Sequence, residues 1–163
     1  MVNISGYVKL NEKETKEFET LVLKNKHLLK EVDSLGSSLL HIAIRQGNLD
    51  LAKFLIDNGI DVNMQDNNGD TALHYCAEHN QYEIAKYILE HGGKLAIADK
   101  YGNEPLWTAA SNDKGKNVRA EIIKLFLDFG ADKLHKNNVN KTPGDIAVRY
   151  KNLMELFDAQ KTR

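Results

Sequence analysis

The strongest constraint on this chain is a period. Asp33, Asp66 and Asp99 are spaced by 33 residues, and Gly36, Gly69 and Gly102 keep the same spacing. His41 and His74 follow it, with Trp107 next in the series, and Gly59 and Gly92 repeat it once more. Gly92 to Gly130 is 38 residues, so the third unit carries five extra. Beyond that insertion Asn137, Asn140, Thr142 and Pro143 occupy the places of Asp99, Gly102, Glu104 and Pro105. Self-similarity at such a period marks a stack of small units, none of which can bury its apolar face alone. The 163 residues are 42% hydrophobic and 28% charged, which is apolar mass enough for one domain's core.

Each unit has the same local grammar. The segments 33–36, 66–69 and 99–102 begin with Asp and end with Gly. That is turn chemistry, because Asp bonds its own backbone and Gly accepts positive φ. A first helix is expected near 39–46, 72–80, 105–112 and 143–150. Pro105 and Pro143 suit a first helical turn, where a missing N–H costs little. A second helix is expected near 49–58, 82–91 and 118–129. Leu51, Phe54 and Leu55, or Ile84, Tyr87 and Ile88, or Ile122, Leu125 and Phe126 supply its apolar spacing. Gly59, Gly92 and Gly130 close these helices. Leu40, Leu73 and Leu106 take equivalent inner sites, as do the small residues Ala43 and Cys76. Gly144 stands in the leucine's place in the last unit, so less apolar area is expected there.

Segment 66–77, with Thr71, Leu73, His74 and Ala77 in register, and segment 83–92 after it, resemble an ankyrin repeat. So does 58–63. The resemblance covers roughly 33–157 and implies an all-α solenoid of stacked helix-turn-helix units joined by hairpin-like loops. It divides the chain into an N-terminal helical cap, 1–32, and units near 33–65, 66–98, 99–136 with the insertion, and a closing 137–163. In the cap, 13–24 reads as a helix with Phe18, Leu21 and Val22 on one face, ended by Asn25, with Leu28 and Leu29 leading into Asp33. A closing helix is expected near 153–160. Two departures stand out: Trp107 and Asp145 replace the histidine that His41 and His74 supply.

Charge and composition exclude several functions. Lys and Arg total 22 against 23 Asp and Glu, a net charge of -1, which argues against nucleic acid as the main partner. The one cysteine, Cys76, makes no internal disulfide and suits a reducing compartment. No apolar run approaches a membrane span, and residues 1–10 do not read as a signal peptide. A cytoplasmic protein is the default expectation.

Candidate chemistry is sparse. His74, Cys76 and His79 are close in sequence, but positions 74 and 76 point opposite ways on a helix, so packing is the better reading than a metal site. A Cys76 nucleophile lacks an oxyanion device and a third residue. Gly92-Gly93 is a helix end, not a phosphate loop. Asp57 and Asp61 fit a solvated surface, and the Lys-rich stretches 24–30 and 133–141 read as solvated faces. Asn63 resembles the ankyrin asparagine that some hydroxylases modify; a turn role is the plainer reading. No enzyme, cofactor or metal is expected.

The resemblance implies a partner protein bound on turn tips and on the concave face of the first helices. The candidates are Arg45, Asn67, Asn68, Asp70, Tyr75, Glu78, His79, Lys100, Tyr101, Asn103, Trp107, Ser111 and Asn112. Ser34, Leu35, Ser37, Asn138, Val139, Lys141, Arg149 and Tyr150 hold corresponding positions. Tyr101 and Trp107, with Tyr75 beside them, form the candidate aromatic anchor. Trp107 is either that or a packing substitution. The polar insertion 112–117 is either a tolerated loop or part of the binding face. A dedicated inhibitor or immunity protein for a cognate toxin or enzyme is the specific expectation, acting as a monomer. The alternatives are a general adaptor or effector scaffold and, remotely, a nucleic-acid-binding regulator.

Overall fold

The computed structural model describes residues 12–159. They form nine α-helices: α1 (Glu12–Lys24), α2 (Leu39–Gln46), α3 (Leu49–Asp57), α4 (Ala72–His79), α5 (Tyr82–Glu90), α6 (Pro105–Asp113), α7 (Ala120–Asp128), α8 (Pro143–Ala147) and α9 (Lys151–Ala159). A 3-10 turn, Lys26–Lys30, follows α1. Among the described residues the extended pairing is two isolated antiparallel bridges, Val32 with Ser38 and Gln65 with Thr71.

The helices form two layers. α2, α4, α6 and α8 pack in sequence as the inner layer, and α1, α3, α5, α7 and α9 pack in sequence as the outer one. Between the layers lie Leu40, Leu73 and Leu106, all but sealed from solvent, with Ala43, Cys76, Ala109 and Ala147 beside them. The alanines and the cysteine keep neighbouring helices close.

The outer helices end alike. Gly59 N–H donates to the Ile56 carbonyl and Ile60 N–H to Leu55. The pairs Gly92–Leu89 with Gly93–Ile88, and Gly130–Leu127 with Ala131–Phe126, repeat that crossed pattern. It satisfies carbonyls that a helix end leaves open, and it requires the positive φ that Gly tolerates.

α1 is in register with this layer. Its last residue, Lys24, lies 33 before Asp57, the end of α3, and Asn25 bonds back to Leu21 as Asn58 does to Phe54. Phe18 and Val22 are buried in the places of Leu51 and Leu55, with Leu28 and Leu29 buried after them. Lys26 stands where the other units have glycine, and the chain continues into the 3-10 turn. Residues 1–11 of the expected cap, and Gln160 of the expected closing helix, lie outside the described residues.

Several helix ends differ from the expected bounds, α9 starting at Lys151 among them, and two of these differences have a clear cause. α8 does not run to Tyr150; it has five residues. Arg149 and Tyr150 N–H groups bond three residues back, to Ile146 and Ala147, which tightens the chain out of the α geometry. α7 starts at Ala120, not Val118, because the buried Asp113 carboxylate takes the N–H groups of Asn117 and Arg119 and holds the insertion as a loop.

A candidate protein-binding face

Four stacked turns make one edge of the inner layer. In each, a carboxylate or amide oxygen takes two backbone N–H groups: Asp33 those of Leu35 and Ser37, Asp66 those of Asn68 and Asp70, Asp99 those of Tyr101 and Asn103, Asn137 those of Val139 and Lys141. The turns also bond to one another. Asn67 N–H reaches the Leu35 carbonyl, Lys100 N–H that of Asn68, and Asn138 N–H that of Tyr101. This is why the turn glycines are special twice over. Gly69 has φ +82, and a Cβ there would sit 2.9 Å from the Lys100 nitrogen.

Several candidate contact residues are therefore already engaged by the fold. The Asn67 amide bonds the Ser34 carbonyl, and Lys100 Nζ bonds Asn68 Oδ1. Asn103 donates to Asp99, and its side-chain oxygen accepts from Asn137. Ser37, expected at a tip, is fully buried. At the third position of each turn the side chains instead project outward: Leu35, Tyr101 and Val139 are well exposed, with Asn68 between them.

In the second unit the inner helix is closed by a reciprocal box. Thr71 N–H donates to His74 Nδ1 at 3.0 Å, so that nitrogen carries no proton. Nε2 therefore holds the hydrogen and donates to the Asn103 carbonyl of the next turn, also at 3.0 Å. Burial lowers the His74 pKa, which keeps the ring neutral. His41 repeats the local half with Ser38, and burial brings its pKa down to about 4, but its Nε2 has no hydrogen-bond partner among the described residues.

Tyr75 lies across His41, ring centres 4.8 Å apart, and donates its hydroxyl proton to Asp66 Oδ2 at 2.9 Å. Arg45 stands over the outer side of the Tyr75 ring and 3.7 Å from Asp33 Oδ2. Burial pushes the Tyr75 hydroxyl up to about 12. Asp70 is pushed up to about 6, first by burial and then by the negative charges of Asp66, Asp99 and Glu78. Glu78 and His79 are exposed at the end of α4. This part of the face is acidic.

The third unit has no such box. Glu104 stands in the threonine's place and is buried, which raises its pKa. Its Oε1 lies 3.3 Å from Nδ1 of His135, whose Nε2 donates to the Gly102 carbonyl. Trp107 is thus released from capping. It is partly exposed and lines a cleft of about 350 Å³ with Ser111, Lys114, Lys141, Asp145, Ile146, Arg149 and Tyr150. Among the described residues Trp107 pairs with neither Tyr75 nor Tyr101, so the three expected aromatics do not form one patch. Asn112, partly buried, lies on α6 at the edge of the insertion.

The insertion is clamped, not a free loop. Arg119 donates to the Ala77 and Glu78 carbonyls at the end of α4 and to Asn112 at the end of α6. Asn80 donates to the Val118 carbonyl from one side and Asn152 to Gly115 from the other. Asp145 and Ile146 of the cleft were not among the binding candidates, and Lys114 entered only as part of the insertion 112–117. Lys114 takes its place because α6 is one residue longer than α4, a shift hidden in the insertion.

The remaining candidates have structural partners. Cys76 is sealed at 0% exposure and burial pushes its thiol pKa up, which leaves it unreactive. Both ring nitrogens of His74 are committed. The Asn63 amide donates to the Gly92 carbonyl and accepts from Lys94 N–H, linking two hairpins. Among the described residues no cluster of His, Cys, Asp and Glu is arranged to hold an ion, and no helix is long and apolar enough to cross a membrane.

Comparison with known proteins agrees with this geometry. A family model described as ankyrin repeats, in three copies, matches residues 10–99. The human protein named ankyrin repeat domain-containing protein 31 is 40% identical over 67 residues, 41% of this chain. The match spans 3% of that protein's length.

Proposed function

The chain belongs to the ankyrin repeat family, a protein-interaction module, and from that premise we propose that it is a non-catalytic binding protein that covers a surface of one partner protein. The observation that carries this is the division of labour on one face. The fold consumes His41, His74, Asn67 and Asn103 in internal bonds, yet leaves Leu35, Tyr101, Val139 and Trp107 accessible beside them. Large apolar and aromatic side chains kept in water on a rigid, stacked face are what a protein interface uses. The buried thiol and neutral buried histidines supply no nucleophile or base, which supports a role without catalysis.

The narrower reading is a dedicated inhibitor of a cognate toxin or enzyme, acting as a cytoplasmic monomer. It differs from a general adaptor in partner number. A pull-down from source-cell lysate, with wild type beside a Tyr101→Ala/Trp107→Ala double variant of equal circular dichroism, separates them. One dominant partner that the variant loses is the expected result. Several weak partners favour an adaptor, and no direct protein partner under any condition overturns the binding-protein reading.

A further inference from the structure

The cleft beside Trp107 differs from the rest of the face in charge. Lys114, Lys141 and Arg149 surround it, all exposed, and none makes an ion pair among the described residues. Its one carboxylate, Asp145, is already engaged. Asp145 Oδ2 accepts from the Thr142 backbone N–H at 2.8 Å and from its hydroxyl at 3.2 Å. That bonding, with Lys141 and Arg149 nearby, holds the Asp145 carboxyl below the usual carboxylate range. The cleft therefore presents three cations whose charge one committed anion only partly offsets. Its walls are apolar as well, with Trp107, Tyr150 and the side of Ile146 between them.

The opposite holds one unit away. Asp70 lies among Asp66, Asp99 and Glu78, whose three negative charges outnumber the one positive charge of Lys100 beside them. A long polyanion laid along the face would meet the cationic cleft and then this acidic group, which repels it. A short acidic stretch within a protein fits the cleft alone.

Building on the protein-binding reading, we propose that the cleft between α6 and α8 receives an acidic segment of the partner protein, its carboxylates against Lys114, Lys141 and Arg149 and an apolar side chain between Trp107 and Tyr150. The cleft's size is at the small end of ligand sites, which suits one inserted side chain rather than a folded element. The flanking carboxylates steer and orient the segment, and the buried side chain supplies the hold.

The test uses the full chain and a fluorescein-labelled peptide of glutamates flanking one phenylalanine, read by fluorescence anisotropy. Saturable binding is expected. Trp107→Ala and, separately, Lys141→Glu/Arg149→Glu should each weaken it about tenfold or more, with circular dichroism unchanged. Replacing the peptide's glutamates by lysines should abolish binding. Loss of the phenylalanine should weaken it. No saturable binding of the glutamate peptide, or binding indifferent to both cleft variants, overturns the proposal. Tighter binding of a single-stranded oligonucleotide at the same cleft also overturns it, in favour of a phosphate ligand. The charge-reversed variant is then added to the lysate pull-down. A partner captured undiminished by that variant removes the cleft from the interface while leaving the protein-binding reading in place.

Discussion

The second and third units bury the equivalent leucine and hold the same turn, yet they treat the positions two and five residues after the turn glycine differently. In the second, Thr71 and His74 close α4 and tie it to the Asn103 carbonyl. In the third, Glu104 turns inward to His135 and Trp107 turns outward to a cleft. The comparison teaches that the histidine has two separable jobs, ending a turn and bridging to the next unit. The third unit hands the bridge to His135, which comes from the following hairpin, and thereby frees an aromatic side chain for the surface.

The largest test asks whether the two units remain equal where they look equal. Leu73→Ala and Leu106→Ala each empty a sealed site between the layers and should each cost about 2–5 kcal/mol in urea denaturation. A clear inequality would show that the third unit's substitutions reach into its core.

Acid separates the units next. The His41 pKa falls from 6.5 to about 4 in the fold, so between those values the unfolded chain binds the proton that the folded one refuses. Stability is present above about pH 6.5 and is lost as pH falls toward 4, by about 3 kcal/mol for this ring. His74 shifts in the same direction. Hydrogen exchange along a pH series should therefore show α2 and α4 losing protection before α6, whose unit has no buried histidine at that position.

A smaller contrast lies in the side chains themselves. His74→Ala strands the Thr71 N–H and the Asn103 carbonyl and should cost about 2–3 kcal/mol. Trp107→Ala should cost about 1 kcal/mol or less, because that side chain is only partly covered. Equal losses in thermal melts would make Trp107 a packing residue and sink its role at the surface.

The smallest effect concerns Asp70. Its raised pKa means that the fold favours its protonated form, so stability falls as pH rises from about 4 through 6. Asp70→Asn should stabilise the protein at pH 7 by no more than about 1 kcal/mol, since the group is partly solvated. The gain should vanish near pH 4.

Much of this architecture was legible because its signals are local. Asp66 and Gly69 announce a turn within four residues, and Gly59 ends α3 through bonds no longer than one helical turn. What stayed hidden depends on residues a full period apart. That Asn67 and Lys100 stitch neighbouring turns, or that Gly69 faces the Lys100 nitrogen, follows only once units stack. The clamped insertion shares that origin, since Asn80 reaches Val118 and Asn152 reaches Gly115 across units, whereas the early end of α8 is a local tightening of its last turn. Trp107 could not be assigned a direction until Glu104 was seen to pair with His135.

Arg119 has a consequence of its own. Its guanidinium recognises α4 through the carbonyls of Ala77 and Glu78, and α6 through that of Asn112, all of them backbone atoms. Carbonyl oxygens are the same whatever residue bears them. The exposed residues at the end of α4, Glu78 and His79 included, can therefore change freely under selection for a new target while the clamp beneath them stays intact. The chain thus separates the part of its surface that can drift from the joint that keeps the drifting part in place.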